Sequence, residues 1–323
     1  MDDFSVSLRD VWRAKKRIAG IINQTPLIYS EPLSQCTEAN IYLKLEQSHP
    51  TGAFKLRGAA NKILSLEEEA QQKGVTTFST GNHGIAVAYV AAELGIPCTV
   101  CISNRVPAAK VNRLKKLKAV VEKVGSSQDD AADRCRQLEK EKGMTVIKPF
   151  DDKEVIAGQG TIGLEIIEQC PDIDEVIIPL SGGGLLSGIA FVMKSIDPST
   201  RITGVTMKKS SVMLESLGHG RPVRLEEEDT LADSLLGGIG LDNHYTFSLT
   251  KKYMDEGVRV EEKVIENGLL FLMEHHKMIV EGAAAIGVGH ALVHKGQLQK
   301  NTAIIVTGNN IDHEVITGLL RQS

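Results

Sequence analysis

From about residue 75 onward, short apolar runs alternate with longer segments of helical period. The runs VTTFS, CTVCI, AVVEKV and TVIKP predict strands. Between them, IAVAYVAAELG, AAKVNRLKKL and SQDDAADRCRQLEKEKG predict helices. The last of these opens on serines followed by Asp129 and Asp130, N-cap candidates and early carboxylates that suit the helix dipole. Its charges therefore need no functional explanation. A second series follows: a helix over VIAGQGTIGLEIIEQC, the strand EVIIPL, a glycine-rich turn, a helix over LLSGIAFVMKSI and the strand RITGVTM. Much later, TAIIVTG reads as another buried strand.

This alternation predicts the α/β class, as two open, twisted parallel-sheet domains with a ligand site in the cleft between them. Residues 75–148 are expected to form a small domain, and residues 1–74 and 149–323 together a larger, discontinuous one. A chain of 323 residues with 42% hydrophobic and 24% charged positions can bury cores of that size. Aromatics are scarce at 4%, which favours parallel α/β packing over a β-sandwich.

A net charge of −4 creates no global attraction for nucleic acid or an anionic membrane, and neither is expected as a partner. The basic run RLKKLKAVVEK reads as a solvated helix face passing into a strand. The start, MDDFSVSLRD, is acidic and lacks the apolar core of a signal peptide. The longest apolar stretch, GIAVAYVAAELGI, contains Glu93 and is too short for a bilayer, so a cytoplasmic location is expected. The five cysteines are scattered and odd in number, which argues against a disulfide framework. Cys98 and Cys101 form a CxxC inside a strand, where residues three apart face opposite sides and cannot share a metal.

Candidate chemistry gathers at three glycine-marked turns that follow apolar strands: STGNHG, SGGGLLSG and TGNN. In an open parallel sheet such turns sit at the carboxyl ends of strands, where ligands bind. Gly182, Gly183 and Gly184 would let the backbone approach an anion beside a helix N-terminus, although a plain tight turn reads equally well from the motif alone. A dinucleotide would need an acid at the end of the next strand to hold a ribose, and that strand runs into Lys208 and Lys209. The order of a nucleotide P-loop is also missing. A small phosphorylated cofactor or substrate remains. Lys55, set in SHPTGAFKLRGAANKI between Phe54 and Leu56, reads in isolation as a surface lysine at a helix start. Beside a phosphate cradle it has another use: a desolvated amine is neutral more often and can bond an aldehyde, as pyridoxal phosphate requires.

TGAFKLRGA, STGNHG, VIAGQGTIGLEI, PLSGGGLLSG, VEGAAA and VTGNNID, in this order and spacing, resemble the fold-type II pyridoxal-phosphate enzymes, in particular the serine/threonine dehydratase and serine racemase branch. The resemblance runs from TPLIYSEPLS to NNID and implies a fold like that of the tryptophan synthase β-subunit. It also implies pyridoxal 5'-phosphate as cofactor, a small amino acid as substrate and a homodimer. Position by position, it makes Lys55 the lysine that bonds the cofactor and Phe54 a neighbour of its ring. Ser181, Gly182, Gly183, Gly184 and Leu185 match the phosphate loop, with Ser181 where the family usually has a fourth glycine. Asn82 matches the residue that bonds the cofactor's phenolic oxygen, and Thr307 the hydroxyl residue at the pyridine nitrogen. Ser79, Thr80, Gly81, Asn82 and His83 match the turn that receives the substrate carboxylate, and Phe150 is expected to shape the side-chain pocket.

The implied reaction is loss of water from a β-hydroxy amino acid such as threonine or serine, giving a 2-oxo acid and ammonia, with Lys55 as the base at Cα. A neutral hydroxyl at Thr307, where transamination would call for a carboxylate, favours elimination. Racemising members carry a second-face serine where this chain has Thr80, so racemisation is the alternative activity. Some members bind a divalent cation where this chain aligns Thr206 and Val212, poor ligands for it, and no metal is expected there. No long extension precedes Ser323, from which a catabolic enzyme without a regulatory domain is expected. TLADSLLGGIGLDN resembles the dehydratases of hydroxyectoine breakdown, which is a hypothesis about substrate. Phenylserine is a further specialised substrate. His290 and His294 have the spacing of a zinc pair without the glutamate a zincin needs; they, the His275–His276 pair and the acidic run EEED read as structural or solvated.

Overall fold

The structure, a computed structural model, describes residues 6–106 and 108–322. The first five residues of the acidic start, and Ser323, on which the absence of an extension was read, lie outside them. In chain order the strands are β1 (Leu27–Tyr29), β2 (Asn40–Leu45), β3 (Val75–Thr77), β4 (Cys98–Ile102), β5 (Val120–Lys123), β6 (Thr145–Val146), β7 (Glu175–Pro179), β8 (Arg201–Met207), β9 (Glu256–Val260) and β10 (Asn301–Val306). They build a six-stranded sheet in the order β1-β2-β10-β7-β8-β9 and a four-stranded sheet in the order β5-β4-β3-β6. All neighbours pair parallel except β1, which runs antiparallel to β2 at the edge.

The predicted runs at β4 and β8 coincide with the strands found. β1, β2 and β9 carried no such signal. β1 is three residues long, β2 holds the buried Lys44 within an apolar run, and β9, EGVRV, is a largely exposed edge with Glu256 and Arg259 in it. The helix Gln128–Lys142 begins as its sequence suggests, with Ser127 and Asp130 closing a reciprocal capping box.

Both faces of the larger sheet are covered, which is why its strands read as continuous apolar runs. Along β10, Ile304 and Val306 pack into one core with Leu269, Leu272 and Ile286 of the helices Glu262–His276 and Gly282–Val293. Ala303 and Ile305 point the other way, into a core with Ile162, Leu186 and Ile189 of the helices Lys153–Gln169 and Gly184–Ile196. The smaller sheet shares its core with the helix Lys55–Leu64: Leu56, Ala59 and Ile63 pack with Val87, Val100 and Ile147. The same helix also packs against the helix Lys153–Gln169. No helix among the described residues is long and apolar enough to cross a membrane.

What the sequence did not disclose is a buried ionic cluster beside that helix. Arg57, wholly buried, donates from Nε and Nη2 to both carboxylate oxygens of Glu46 at 2.7 and 2.9 Å. It also donates from Nη1 and Nη2 to both oxygens of Glu165 at 2.6 and 2.8 Å. Lys44 reaches Glu165 at 2.7 Å and the Thr25 carbonyl at 2.7 Å. The two cations and two anions balance, and the guanidinium fork satisfies both carboxylates at once. Burial opposes ionisation of Glu46, yet the Arg57 charge and the His49 bond hold its carboxyl well below the usual range. For Arg57→Leu, which leaves two buried carboxylates with Lys44 as their one lysine or arginine partner, on Glu165, we expect a loss of about 3–5 kcal/mol in urea unfolding. Arg57→Lys, which keeps the charge without the fork, should fall between it and the wild type.

Candidate active site

The carboxyl end of β10 and the start of the helix Lys55–Leu64 are joined directly through backbone. Ala53 and Gly308 form an isolated antiparallel bridge, and the Phe54 N–H donates to the Thr307 carbonyl at 3.0 Å. Residues far apart in the chain thus become neighbours, and Lys55 stands at the first position of its helix. Its Nζ donates to the Pro149 carbonyl at 2.7 Å and lies 5.2 Å from the centre of the Phe54 ring. Burial brings the amine down to about 8, against the opposing pull of the Glu281 charge. The positive end of its own helix also disfavours an ammonium at that position.

The glycine-rich turn follows β7. Ser181 is half-buried, and Gly183 takes the left-handed conformation, φ +83°, as the cap of the helix Gly184–Ile196. The first helical bond runs from the Ser187 N–H to the Gly183 carbonyl at 2.8 Å. The N–H groups of Gly184, Leu185 and Leu186 thus precede the first turn, at the helix's positive end. Phe150 lies directly against this loop: a Cβ on Gly182 would stand 2.5 Å from its ring, and one on Gly184 2.8 Å from its Cβ. The phenylalanine expected to shape a substrate pocket is thus also a wall of the anion cradle.

The turn after β3 is built the same way. Its helix, Asn82–Leu94, makes its first bond from Ile85 to the Gly81 carbonyl, leaving the N–H groups of Asn82, His83 and Gly84 ahead of it. Ser79 and Thr80 are half-buried and Gly81 is exposed. Gly84 is required here, since a Cβ would stand 1.8 Å from the Ser79 carbonyl oxygen. The His83 imidazole turns inward, its Nε2 2.9 Å from the Ile147 carbonyl. Burial, aided by the Lys55 charge and opposed by that bond, pushes it down to about 3. It is neutral, and its Nδ1 is buried with no partner among the described residues.

Thr307 is buried, and its hydroxyl has no hydrogen-bond partner among the described residues. An unpaired buried hydroxyl is costly and calls for a partner that a ligand would bring. The residues present fit pyridoxal phosphate: an amine that is readily neutral, a cradle of free N–H groups that side chains would fill, and an unpaired hydroxyl for a ring nitrogen. One acid beside them was not anticipated. Glu281, 4% exposed, accepts from Asn82 Nδ2 at 3.0 Å to each oxygen and from the Ser234 hydroxyl at 3.2 Å. Burial raises its carboxyl above the usual range, although both bonds pull the other way. In VEGAAA it is an acid just ahead of an apolar helix, indistinguishable in sequence from a solvated one.

A family model described as "Pyridoxal-phosphate dependent enzyme" matches residues 18–308. The chain is 40% identical over 320 residues to the catabolic L-threonine dehydratase of Staphylococcus aureus, covering 98% of this chain and 92% of that one. It is 39% identical over 317 residues to the L-threonine ammonia-lyase of Thermotoga maritima, covering 98% of this chain and 79% of that one. Among solved structures, maize serine racemase matches with a TM-score of 0.91 at 32% identity, over 98% of this chain and 97% of that one.

The depressed Lys55 has a direct consequence. In cofactor-free protein, acylation of Lys55 by an amine-selective reagent, followed by peptide mass spectrometry, should rise with pH and reach half its maximum near pH 8. One pH unit lower the rate should fall to roughly a tenth of the plateau. A midpoint near that of an ordinary lysine would refute the desolvated-amine reading.

Proposed function

Because this chain belongs to the pyridoxal-phosphate-dependent enzyme family, we propose that it is a β-hydroxy amino acid dehydratase, releasing a 2-oxo acid and ammonia from threonine- or serine-like substrates. The observation that carries this reading is the backbone joint of Ala53 with Gly308 and Phe54 with Thr307, which makes the segments bearing the buried Lys55 amine and the unpaired Thr307 hydroxyl neighbours. When bound, pyridoxal phosphate supplies an aldehyde that holds the substrate amine and a ring that acidifies its Cα–H.

The remaining work falls to side chains and free amides. Gly182, Gly183, Gly184 and Leu185 would hold the phosphate against the helix N-terminus, with the Ser181 hydroxyl beside them. The N–H groups of Asn82, His83 and Gly84 and the hydroxyls of Ser79 and Thr80 would bind the substrate carboxylate. Lys55, with half of its amine neutral near pH 8, would take the proton from Cα as general base. Thr307 would meet the ring nitrogen with a neutral hydroxyl and hold no proton there as a carboxylate would, which favours elimination over transamination. Phe54 and Phe150 are the aromatic surfaces nearest the amine and the cradle, and shield both from water.

Racemisation is the second reading, supported by the hydroxyl of Thr80 in the turn and by the likeness to a serine racemase. The division into a small unit, residues 75–148, and a larger one belongs to the same proposal. So do a cytoplasmic location and a homodimer. Tyr29 and Ile279, each 51% exposed, flank the Ser30–His276 bond at the β1 edge and support a subunit contact there.

The test is 2-oxo acid release from a panel of threonine, serine, hydroxyaspartate, phenylserine and a hydroxyectoine-derived acid. Turnover of at least one is expected, with a fall of about a thousandfold or more in Lys55→Ala. A protein that releases no keto acid but inverts the chirality of an amino acid is the racemase. A colourless protein that does neither would end both readings.

A further inference from the structure

Asn82 is gripped from both ends. Its Nδ2 lies 3.0 Å from each oxygen of Glu281, and its Oδ1 accepts from Asn310 Nδ2 at 2.5 Å. Asn310 is itself fixed, donating to the Thr51 carbonyl at 3.0 Å and accepting from Arg113 Nη2 at 2.7 Å. Asn82 and Arg113 belong to helices flanking the smaller sheet, whereas Glu281, Asn310 and Thr51 stand with the larger one. The relay therefore links the elements of the two sheets near Lys55, whose amine feels the Glu281 charge.

These partners permit one orientation of the carboxamide. Turned over, Asn82 would set its oxygen against the Glu281 carboxylate and its amino group against the donor of Asn310, a mismatch at both ends. The two oxygens of one carboxylate also subtend too narrow an angle at a single nitrogen to take both of its N–H bonds. One N–H is engaged and the second stays free as a donor. On the reading of Asn82 as a cofactor contact, we propose that Glu281 is a positioning residue: with Asn310, it locks the Asn82 carboxamide so that a free N–H, not the carbonyl, is offered to an oxygen of the bound cofactor. A Cβ on Gly308 would stand 2.8 Å from Glu281 Oε1, so the backbone after Thr307 also leaves room for this carboxylate. The inference rests on the enzyme reading but adds a residue that reading does not use.

A double-mutant cycle on pyridoxal phosphate binding tests it, with two readouts: the dissociation constant and the position of the bound cofactor's absorption band. Far-ultraviolet circular dichroism confirms folding. Glu281→Ala and Asn82→Ala should each weaken binding by about tenfold and move the band in the same direction. If Glu281 acts through Asn82, the double variant is no weaker than the worse single one. Glu281→Gln, whose side-chain oxygen still accepts from Asn82, should stay within about twofold of the wild type. Additive losses of about a hundredfold in the double variant would overturn the proposal. So would a Glu281→Gln as impaired as the alanine variant, or a Glu281→Ala with unchanged affinity and band. Should Glu281→Ala fail to fold, Asn310→Ala removes the other grip and completes the same cycle with the same criteria. A wild type that binds no pyridoxal phosphate overturns the enzyme reading and this inference together, whereas a wild type that binds it while the cycle is additive overturns this inference alone.

Discussion

The guanidinium of Arg57 is the constraint on which the site depends. It binds Glu46, just beyond β2, and Glu165, on the helix Lys153–Gln169, with both forks filled and no access to water. Two residues earlier on the same helix stands Lys55. A buried pairing of this kind gains little net free energy over a well-packed apolar substitute, but it tolerates little displacement, because a shifted partner becomes an unpaired buried charge. It therefore acts as a positional lock. The amine of Lys55 is held where the Pro149 carbonyl, the Phe54 ring and the end of β10 meet, instead of swinging into solvent as lysines at helix starts usually do.

Around that fixed point, two helix N-termini do related work. The turn before Gly184 and the turn before Asn82 both leave three N–H groups ahead of the first helical bond, one on each sheet. Both offer an anion the same physics, and their neighbours differ. Phe150 closes one over its glycines. The other is open at Gly81, with polar Ser79 and Thr80 beside it, and suits a carboxylate that must arrive and depart.

His83 shows how far a motif reaches. Its place in STGNHG implied a substrate contact made largely through main chain, and the structure turns its neutral ring inward, with Nε2 on the Ile147 carbonyl and Nδ1 unpaired. Phe150, expected to shape a side-chain pocket, also packs against the glycines of the turn after β7. A motif specifies which residue type occupies a place in the chain; which side of the backbone it serves depends on what packs there.

Most of the α/β architecture was legible because strands buried on both faces must be apolar throughout, and the helices between them must carry a stripe. β2 and β9 were not, since a buried lysine and an exposed edge break that pattern for reasons that lie in their neighbours. Lys55 and the glycine turns stood out as candidates in the sequence, because covalent attachment and close approach to an anion each demand particular residue types, and Thr307 was named by the family resemblance. Glu281, Arg57 and Asn310 did not stand out. Their chemistry comes from burial and from partners distant in the chain, and an acid, an arginine and an asparagine look the same in sequence whether solvated or enclosed. By itself the sequence determined which groups were available for chemistry. Only the tertiary structure decided which were desolvated, paired and held still, because desolvation and pairing are properties of what surrounds a residue.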